Sequence, residues 1–244
     1  MKINPLYILP NLFTAASIFF AVFAIILAHN QNFVHACWFI LLSMVLDGLD
    51  GRVARLTNTA SKFGVEFDSL ADVVAFGVAP AMVLYFYVGD FYGRYGIAIS
   101  ALFTVLGAVR LARFNISTGT EPNSFVGLPI PGAAATLVLW ILFDEHGDYG
   151  FFKGSLFTTH GYILLILAFV CAILMVSNIR YPSFKKFKWD LKSFIIVLIL
   201  LALVFVQPVV TLTVLMSLYV LYGIVRWIII IFRFIVFRTK PKKN

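Results

Sequence analysis

An all-α, polytopic membrane bundle is the fold class that this sequence predicts, and three observations predict it. The 244 residues are 61% apolar and 16% aromatic but only 12% charged, and the mean hydropathy of +0.97 is far above that of a soluble domain with a polar surface. Apolar runs long enough to cross a hydrocarbon layer of about 30 Å recur along the chain. Lysines and arginines gather in alternate connections, the pattern of a chain that crosses the bilayer repeatedly.

Apolar periodicity and its interruptions predict eight helices, at about 11–29, 32–56, 64–88, 94–114, 130–144, 159–177, 192–207 and 209–235. The first run has no basic leader with a small-residue cleavage site, so it is expected to be a retained helix and not a signal peptide. Gln207 and Pro208 interrupt the last apolar stretch, where Pro208 either opens a new helix or kinks a long one. Arg52, Arg55 and Lys62 flank the second connection, Arg110 and Arg113 end the fourth helix, and Arg180, Lys185, Lys186, Lys188 and Lys192 crowd the sixth connection. By contrast "HNQN" carries no lysine or arginine, and "DEHGDYGFFKG" is acidic apart from Lys153. Both chain ends and the charged second connection are therefore expected on the cytoplasmic side of a cell inner or plasma membrane. No internal repeat or low-complexity linker divides the chain, so residues 1–244 read as a single integral membrane domain.

Several function classes lose support at once. The net charge of +8 sits between and after spans, where it suits anionic lipid headgroups and not nucleic acid. Cys37 and Cys171 lie inside apolar runs without CxxC or histidine partners, which removes disulfide and zinc readings. His29, His35, His146 and His160 stand apart without ligand spacing.

The exception to this apolar pattern is "DGLDGRVARLTNTASKFGVEFDSLAD", residues 47–72. Asp47 and Asp50 are three apart on the second helix, and Asp68 and Asp72 are four apart on the third, so each pair shares a helix face. A short polar link, Thr57 to Ser61, would fold the two helices into a hairpin with all four aspartates facing across it. One charge near membrane depth costs about 3 kcal/mol on insertion scales, and like charges within about 4 Å add several more. Such a cluster is stable as anions only with cations. Oxygen ligands without histidine or thiolate select Mg²⁺, Mn²⁺ or Ca²⁺, and two such ions held by shared carboxylates would clamp a diphosphate. Gly48, Gly51 and Gly64 permit close approach of a helix or ligand, and Arg55 suits a phosphate oxygen. A run of charges merely ending a helix at the membrane surface accounts for Arg52, Lys62 and Glu66. It does not account for Asp47 directly after "FILLSMVL" or Asp72 directly before "VVAFGVAPAMVLYFY".

Written as D-x2-D-G-x2-A-R-x8-G-x3-D-x3-D, the stretch from Asp47 through Asp50, Gly51, Ala54, Arg55, Gly64 and Asp68 to Asp72 resembles the signature of the CDP-alcohol phosphatidyltransferases, with every signature residue present. The resemblance implies an integral membrane enzyme with a six-helix core, here about 5–177, plus two additional helices at about 192–235. It implies displacement of CMP from a CDP-linked lipid by an alcohol, with two divalent cations, Mn²⁺ or Mg²⁺ with Ca²⁺ in the same class, and a homodimer. Asp47, Asp50, Asp68 and Asp72 would bind the metals and Asp72 would also be the general base. Asn11, Thr14, Asp50, Gly51, Ala54, Arg55, Ser61 and Gly64 would hold the CDP-lipid. An alternative for Asn11 is the N-cap of the first helix. The motif offers no serine or histidine nucleophile with a base at the right spacing, which favours direct displacement at the β-phosphorus.

The acceptor must be read elsewhere. Arg110 and Arg113 are three apart at the end of the fourth helix with Asn115 just beyond, and two arginines facing one crevice suit a carboxylate, a glycerol phosphate or an inositol phosphate. Positive-inside anchoring would place arginines there as well. "DSLADVVAFGVAPA", "RLARFN" and "GLPIPGAAA" together resemble the phosphatidylserine synthase branch of the family. That resemblance implies CDP-diacylglycerol and L-serine as substrates, with Arg110, Arg113 and Asn115 at the serine; glycerol 3-phosphate, inositol or inositol phosphate remain alternatives. A cation-coupled transporter is a distant alternative, since its acidic residues belong near midplane on broken or repeated helices. A prenyl-type transferase would need a second aspartate-rich motif.

Overall fold

The computed structural model describes residues 8–117, 124–146, 148–149, 152–153, 156–182 and 190–238. Lys185, Lys186 and Lys188 of the basic connection and the tail beyond Arg238 lie outside the described residues. Eight helical rods are present among the described residues. They are α1 (Ile8–His29), α2 (Phe33–Leu56), a rod made of α3 (Lys62–Asp72), a π-helical turn (Val73–Val78) and α4 (Ala79–Tyr87), then α5 (Arg94–Ser117), α6 (Ile130–Glu145), α7 (Leu156–Val176), α8 (Leu191–Val206) and α9 (Pro208–Arg238). Among the described residues, five stretches are long and apolar enough to cross a membrane: Ile8–His29, Phe33–Leu56, Lys62–Tyr87, Arg94–Ile116 and Pro208–Ile230. The protein is thus a polytopic helical membrane bundle.

The first two helices form a hairpin along a seam of small residues. Ala21, Ala24, Ala28 and Ala36 are fully buried, and Ser17 and Ser43 join their hydroxyls at 2.7 Å across the seam. Without side-chain bulk the backbones approach closely, the usual solution for helices packing in lipid. Helix α6 is buried on every side, including Ala133, Ala134, Leu137, Val138, Ile141 and Leu142. It is the centre of the bundle, in contact with α2, α4, α7 and α9. Its 16 residues rise only about 24 Å, short for a span but sufficient for a helix whose neighbours supply the apolar surroundings. Asp144 near its end is buried, accepts a 2.6 Å hydrogen bond from Tyr87 Oη and accepts from the Phe157 backbone N–H. One carboxylate thereby ties α4, α6 and the first turn of α7 together.

Three details refine the sequence reading. The third rod carries a π-helical turn at Val73–Val78, directly after Asp72 and directly before the Pro80 turn. Proline has no N–H for the carbonyl four residues back and its ring crowds that carbonyl, so a locally widened turn relieves the helix at this point. Gln207 is non-helical (φ −141°, ψ 79°), so Pro208 opens a new helix and does not kink a long one. Helix α1 begins before Asn11, at Ile8, so Asn11 is inside the first turns and is not their N-cap.

Two short antiparallel ladders complete the described residues. One pairs Ser124–Val126 with Arg180–Pro182, placing Phe125 opposite Tyr181, and the other pairs Asp148–Tyr149 with Phe152–Lys153. The first fastens the segment entering α6 to the segment leaving α7. Arg113 adds to that junction from α5.

Candidate active site and family

Helix α2 delivers Asp47 and Asp50, and α3 delivers Asp68 and Asp72. The turn between them is shaped by local chemistry: Asn58 adopts φ 53°, Thr57 Oγ1 donates to Val53 O at 2.8 Å, and Ser61 Oγ caps α3 by accepting from Gly64 N–H at 3.0 Å. Across the hairpin, oxygens of Asp47, Asp50 and Asp68 lie within 4.8 Å of one another. Asp72 stands beside Asp47. Asp47 Oδ1 and Asp72 Oδ1 are buried without a hydrogen-bond partner. Carboxylate oxygens left orphaned in a buried cluster, with only oxygen donors around them, fit a hard divalent cation.

Asp50 is the most enclosed of the four, 5% exposed. Thr14 Oγ1 on α1 donates to Asp50 Oδ2 at 2.6 Å, against 3.3 Å to the Pro10 carbonyl. The shorter contact takes the proton, so α1 holds the carboxylate in place.

Beside the aspartates opens a cleft of about 230 Å³ into which Asn11, Thr14, Asp50, Gly51, Ala54, Arg55, Ser61 and Gly64 all face, with Asp68 at its edge. Its wall is smooth where glycine stands. A Cβ at Gly51 would meet only Arg55 Nη1, at 3.8 Å, whereas one at Gly64 would come within 3.4 Å of Asn11 Oδ1 and 3.2 Å of Ser61 Oγ. Gly51 therefore keeps space open for a ligand, and Gly64 lets α3 approach α1. Pro10 and Thr59 also line the cleft. Neither carries a motif of its own; the signal available in the sequence was their place beside Asn11 and in the link joining the two aspartate helices.

Arg110 and Arg113 part company. Arg110 is 7% exposed, lies within electrostatic reach of Asp72, and has its Nε buried without a hydrogen-bond partner. Arg113 is exposed and donates from Nη1 to Val176 O at 2.8 Å and from Nη2 to Asn178 Oδ1. It satisfies the C-terminal end of α7, and the two arginines do not share one crevice. Arg113 is drawn to the Val176 carbonyl and Asn178 at the end of α7, while Arg110, one turn earlier on α5, stays buried. Asn115 Nδ2 donates to Ser69 Oγ at 2.9 Å, linking the end of α5 to the aspartate helix.

A family model described as CDP-alcohol phosphatidyltransferase matches residues 7–175. The chain belongs to the CDP-alcohol phosphatidyltransferase family. It is 58% identical over 244 residues to a CDP-diacylglycerol–serine O-phosphatidyltransferase of Helicobacter pylori strain J99, covering 98% of this chain and 99% of that relative. A Methanocaldococcus jannaschii protein with the same description is 38% identical over 191 residues, covering 78% of this chain and 82% of its own length. An archaetidylserine synthase of Methanothermobacter thermautotrophicus is 37% identical over 187 residues, covering 74% and 72%. In this CDP-alcohol phosphatidyltransferase the family match takes in the whole aspartate cluster, the cleft and Arg110, and ends before α8 and α9.

Proposed function

We propose that this protein transfers the phosphatidyl group from CDP-diacylglycerol to L-serine, releasing CMP and forming phosphatidylserine. The observation that carries the proposal is the meeting of two aspartate pairs, from α2 and α3, at the edge of a cleft lined by Asn11, Thr14 and Arg55. The serine acceptor follows from relatives that match nearly the full chain and are described as serine O-phosphatidyltransferases. The name of those relatives specifies both CDP-diacylglycerol and serine.

In this reading Asp47, Asp50, Asp68 and Asp72 hold two divalent cations, Mn²⁺ or Mg²⁺. When bound, the cations supply neutralisation of the diphosphate and stabilisation of the charge passed to CMP. The remaining work belongs to the chain. Asn11, Thr14, Gly51, Ala54, Ser61 and Gly64 cradle the cytidine diphosphate, and the planar fork of Arg55 pairs a phosphate oxygen. Arg110 pairs the serine carboxylate and so brings the serine hydroxyl to Asp72, which takes its proton as the oxygen attacks the β-phosphorus. Arg113 and Asn115 support this arrangement by fixing the end of α5. Displacement is direct: Ser61 in the cleft has its oxygen engaged in capping α3, where it accepts from Gly64 N–H, and no cysteine or histidine lines the cleft among the described residues.

The chain works as one integral membrane domain, with a catalytic core over about 5–177 and an addition over about 192–235. It sits in the cell inner or plasma membrane as a homodimer, its site facing the cytoplasm, in keeping with the clustered lysines and arginines. The test is CMP release by purified protein in CDP-diacylglycerol micelles. Release that requires both serine and Mn²⁺ or Mg²⁺ supports the proposal. No release with serine, but release with glycerol 3-phosphate or inositol, would move the acceptor, and no release with any alcohol would end the enzymatic reading.

A further inference from the structure

A second cavity, of about 410 Å³, lies between α6, α7 and α9. Its floor is enclosed: Thr136 and Leu164 are fully buried, and Phe157 and Val220 nearly so. Its rim is formed by Ile163 of α7 and Leu221 of α9, 47% and 51% exposed, and runs on into the exposed Ile166 and Leu218 of the same helices. The polar groups of the walls are already engaged. Trp140 Nε1 donates to Ser217 Oγ at 3.1 Å, Ser217 Oγ donates to Thr213 O at 2.7 Å, and Thr136 Oγ1 donates to Gly132 O at 2.8 Å. Among the described residues the lining includes no Asp, Glu, Lys or Arg. A buried water needs about two to four polar partners, which these walls do not present. The polar exception stands at one end of the trough. His160 is exposed and departs from helical geometry with φ −128° and ψ 40°, and the Tyr162 N–H just beyond it donates to Tyr92 Oη at 3.0 Å. That end is remote from the aspartates. Val176, whose carbonyl receives Arg113, lies about 24 Å further along α7 by helical rise.

We infer that this cavity binds one acyl chain of a bilayer phospholipid, with the headgroup at the His160 end and the chain lying between α7 and α9. The occupant is a structural lipid at the end of the bundle opposite the aspartates, and not the substrate held in their cleft. Hydrocarbon is what the walls select. It asks for no hydrogen bond, it reaches the trough directly from the apolar surface with which the rim is continuous, and the volume falls within the range of about 300–1,000 Å³ common to ligand sites. Left empty, the trough would forfeit dispersion contacts along both helices. The family match ends at residue 175, so α9 lies beyond it. A chain seated here fastens that C-terminal addition to the core.

The experiment is fluorescence quenching of the full-length protein in phosphatidylcholine vesicles, with and without bromine at mid-chain, since bromine quenches an indole that it touches. Trp140 lines the cavity. Trp38→Phe, Trp189→Phe and Trp227→Phe together leave it as the sole tryptophan, and a second protein keeping only Trp38, which is 41% exposed on α2, serves as the lipid-facing reference. Trp140 should be quenched to within about twofold of Trp38. Val220→Phe puts a ring into the trough and should lower the quenching of Trp140 about twofold or more while leaving that of Trp38 unchanged. If that variant does not fold, Leu167→Phe fills the same space from α7 and carries the same expectation. An unquenched Trp140 would overturn the inference, whether the trough is dry or filled by a second copy of the chain. So would quenching that the filled variant leaves unaltered, which is the mark of an indole facing bulk lipid.

Discussion

Thr14→Val isolates a single contact of the site. Thr14 and Asp50 are 3% and 5% exposed, and the hydrogen bond from the threonine hydroxyl to the carboxylate measures 2.6 Å. Valine preserves the shape of threonine and removes only the donor, so the α1–α2 seam should pack as before. A hydrogen bond to a charged group contributes about 1.5–3 kcal/mol, which corresponds to roughly ten- to a hundredfold in an equilibrium constant. In the proposed site that free energy appears as the positioning of Asp50 toward cations. The Mn²⁺ concentration giving half-maximal CMP release should therefore rise by about ten- to a hundredfold at saturating serine and lipid. Thr14→Ser, which restores the hydroxyl, should bring the requirement back to near the wild-type value. An unaltered Mn²⁺ requirement in Thr14→Val would refute the idea that α1 orders the aspartate cluster.

Four further substitutions test other parts of the arrangement. Asp72→Asn keeps the side-chain shape but removes the base, and should lower kcat about 10²- to 10⁴-fold while CDP-lipid binding persists; near-normal turnover would take Asp72 out of that role. Arg110→Ala should raise the serine KM tenfold or more, whereas Arg113→Ala should leave it within about twofold and instead lower thermal stability by about 1 kcal/mol through the freed end of α7; equal effects on serine KM would contradict the divergence of the two arginines. Gly51→Val meets little but Arg55 in the fold, so the variant should fold normally and lose CDP-lipid affinity, checked by nucleotide competition; full affinity would mean that the cleft lies elsewhere.

The helices and the aspartate hairpin were legible in the sequence because both rest on spacing. Asp47 with Asp50 and Asp68 with Asp72 share faces by helical geometry alone, and a link as short as Thr57 to Ser61 leaves the hairpin few alternatives. The break at Gln207 and Pro208 placed the boundary between α8 and α9 within a residue, and what the proline alone left open was whether it starts a helix or kinks one. Arg110 and Arg113 show a second limit. Their spacing predicts a shared face, but which side chain turns inward depends on α7, whose terminal carbonyls offer Arg113 a partner 63 residues away in sequence. The bond from Thr14 to Asp50, across 36 residues, is likewise a tertiary fact. No local pattern announces a threonine that will face a carboxylate from another helix.

The widened turn at Val73–Val78 also sets a rule for the length of this chain. Each residue advances an α-helix by about 100° around its axis, and a π-helical turn accommodates one extra residue by opening the coil. The aspartates above it and the buried Ala75, Phe76 and Ala79 in and below it therefore keep the phase of an uninterrupted α-helix one residue shorter. Deleting one residue between 73 and 78 would let the turn close to an α-helix with Asp68 and Asp72 still facing Asp47, whereas deleting one between Asp68 and Asp72 would swing the two about 100° apart. Tolerance to insertion and deletion in this rod is thus governed by angle and not by span length, and the segment best able to lose a residue is the widened turn itself.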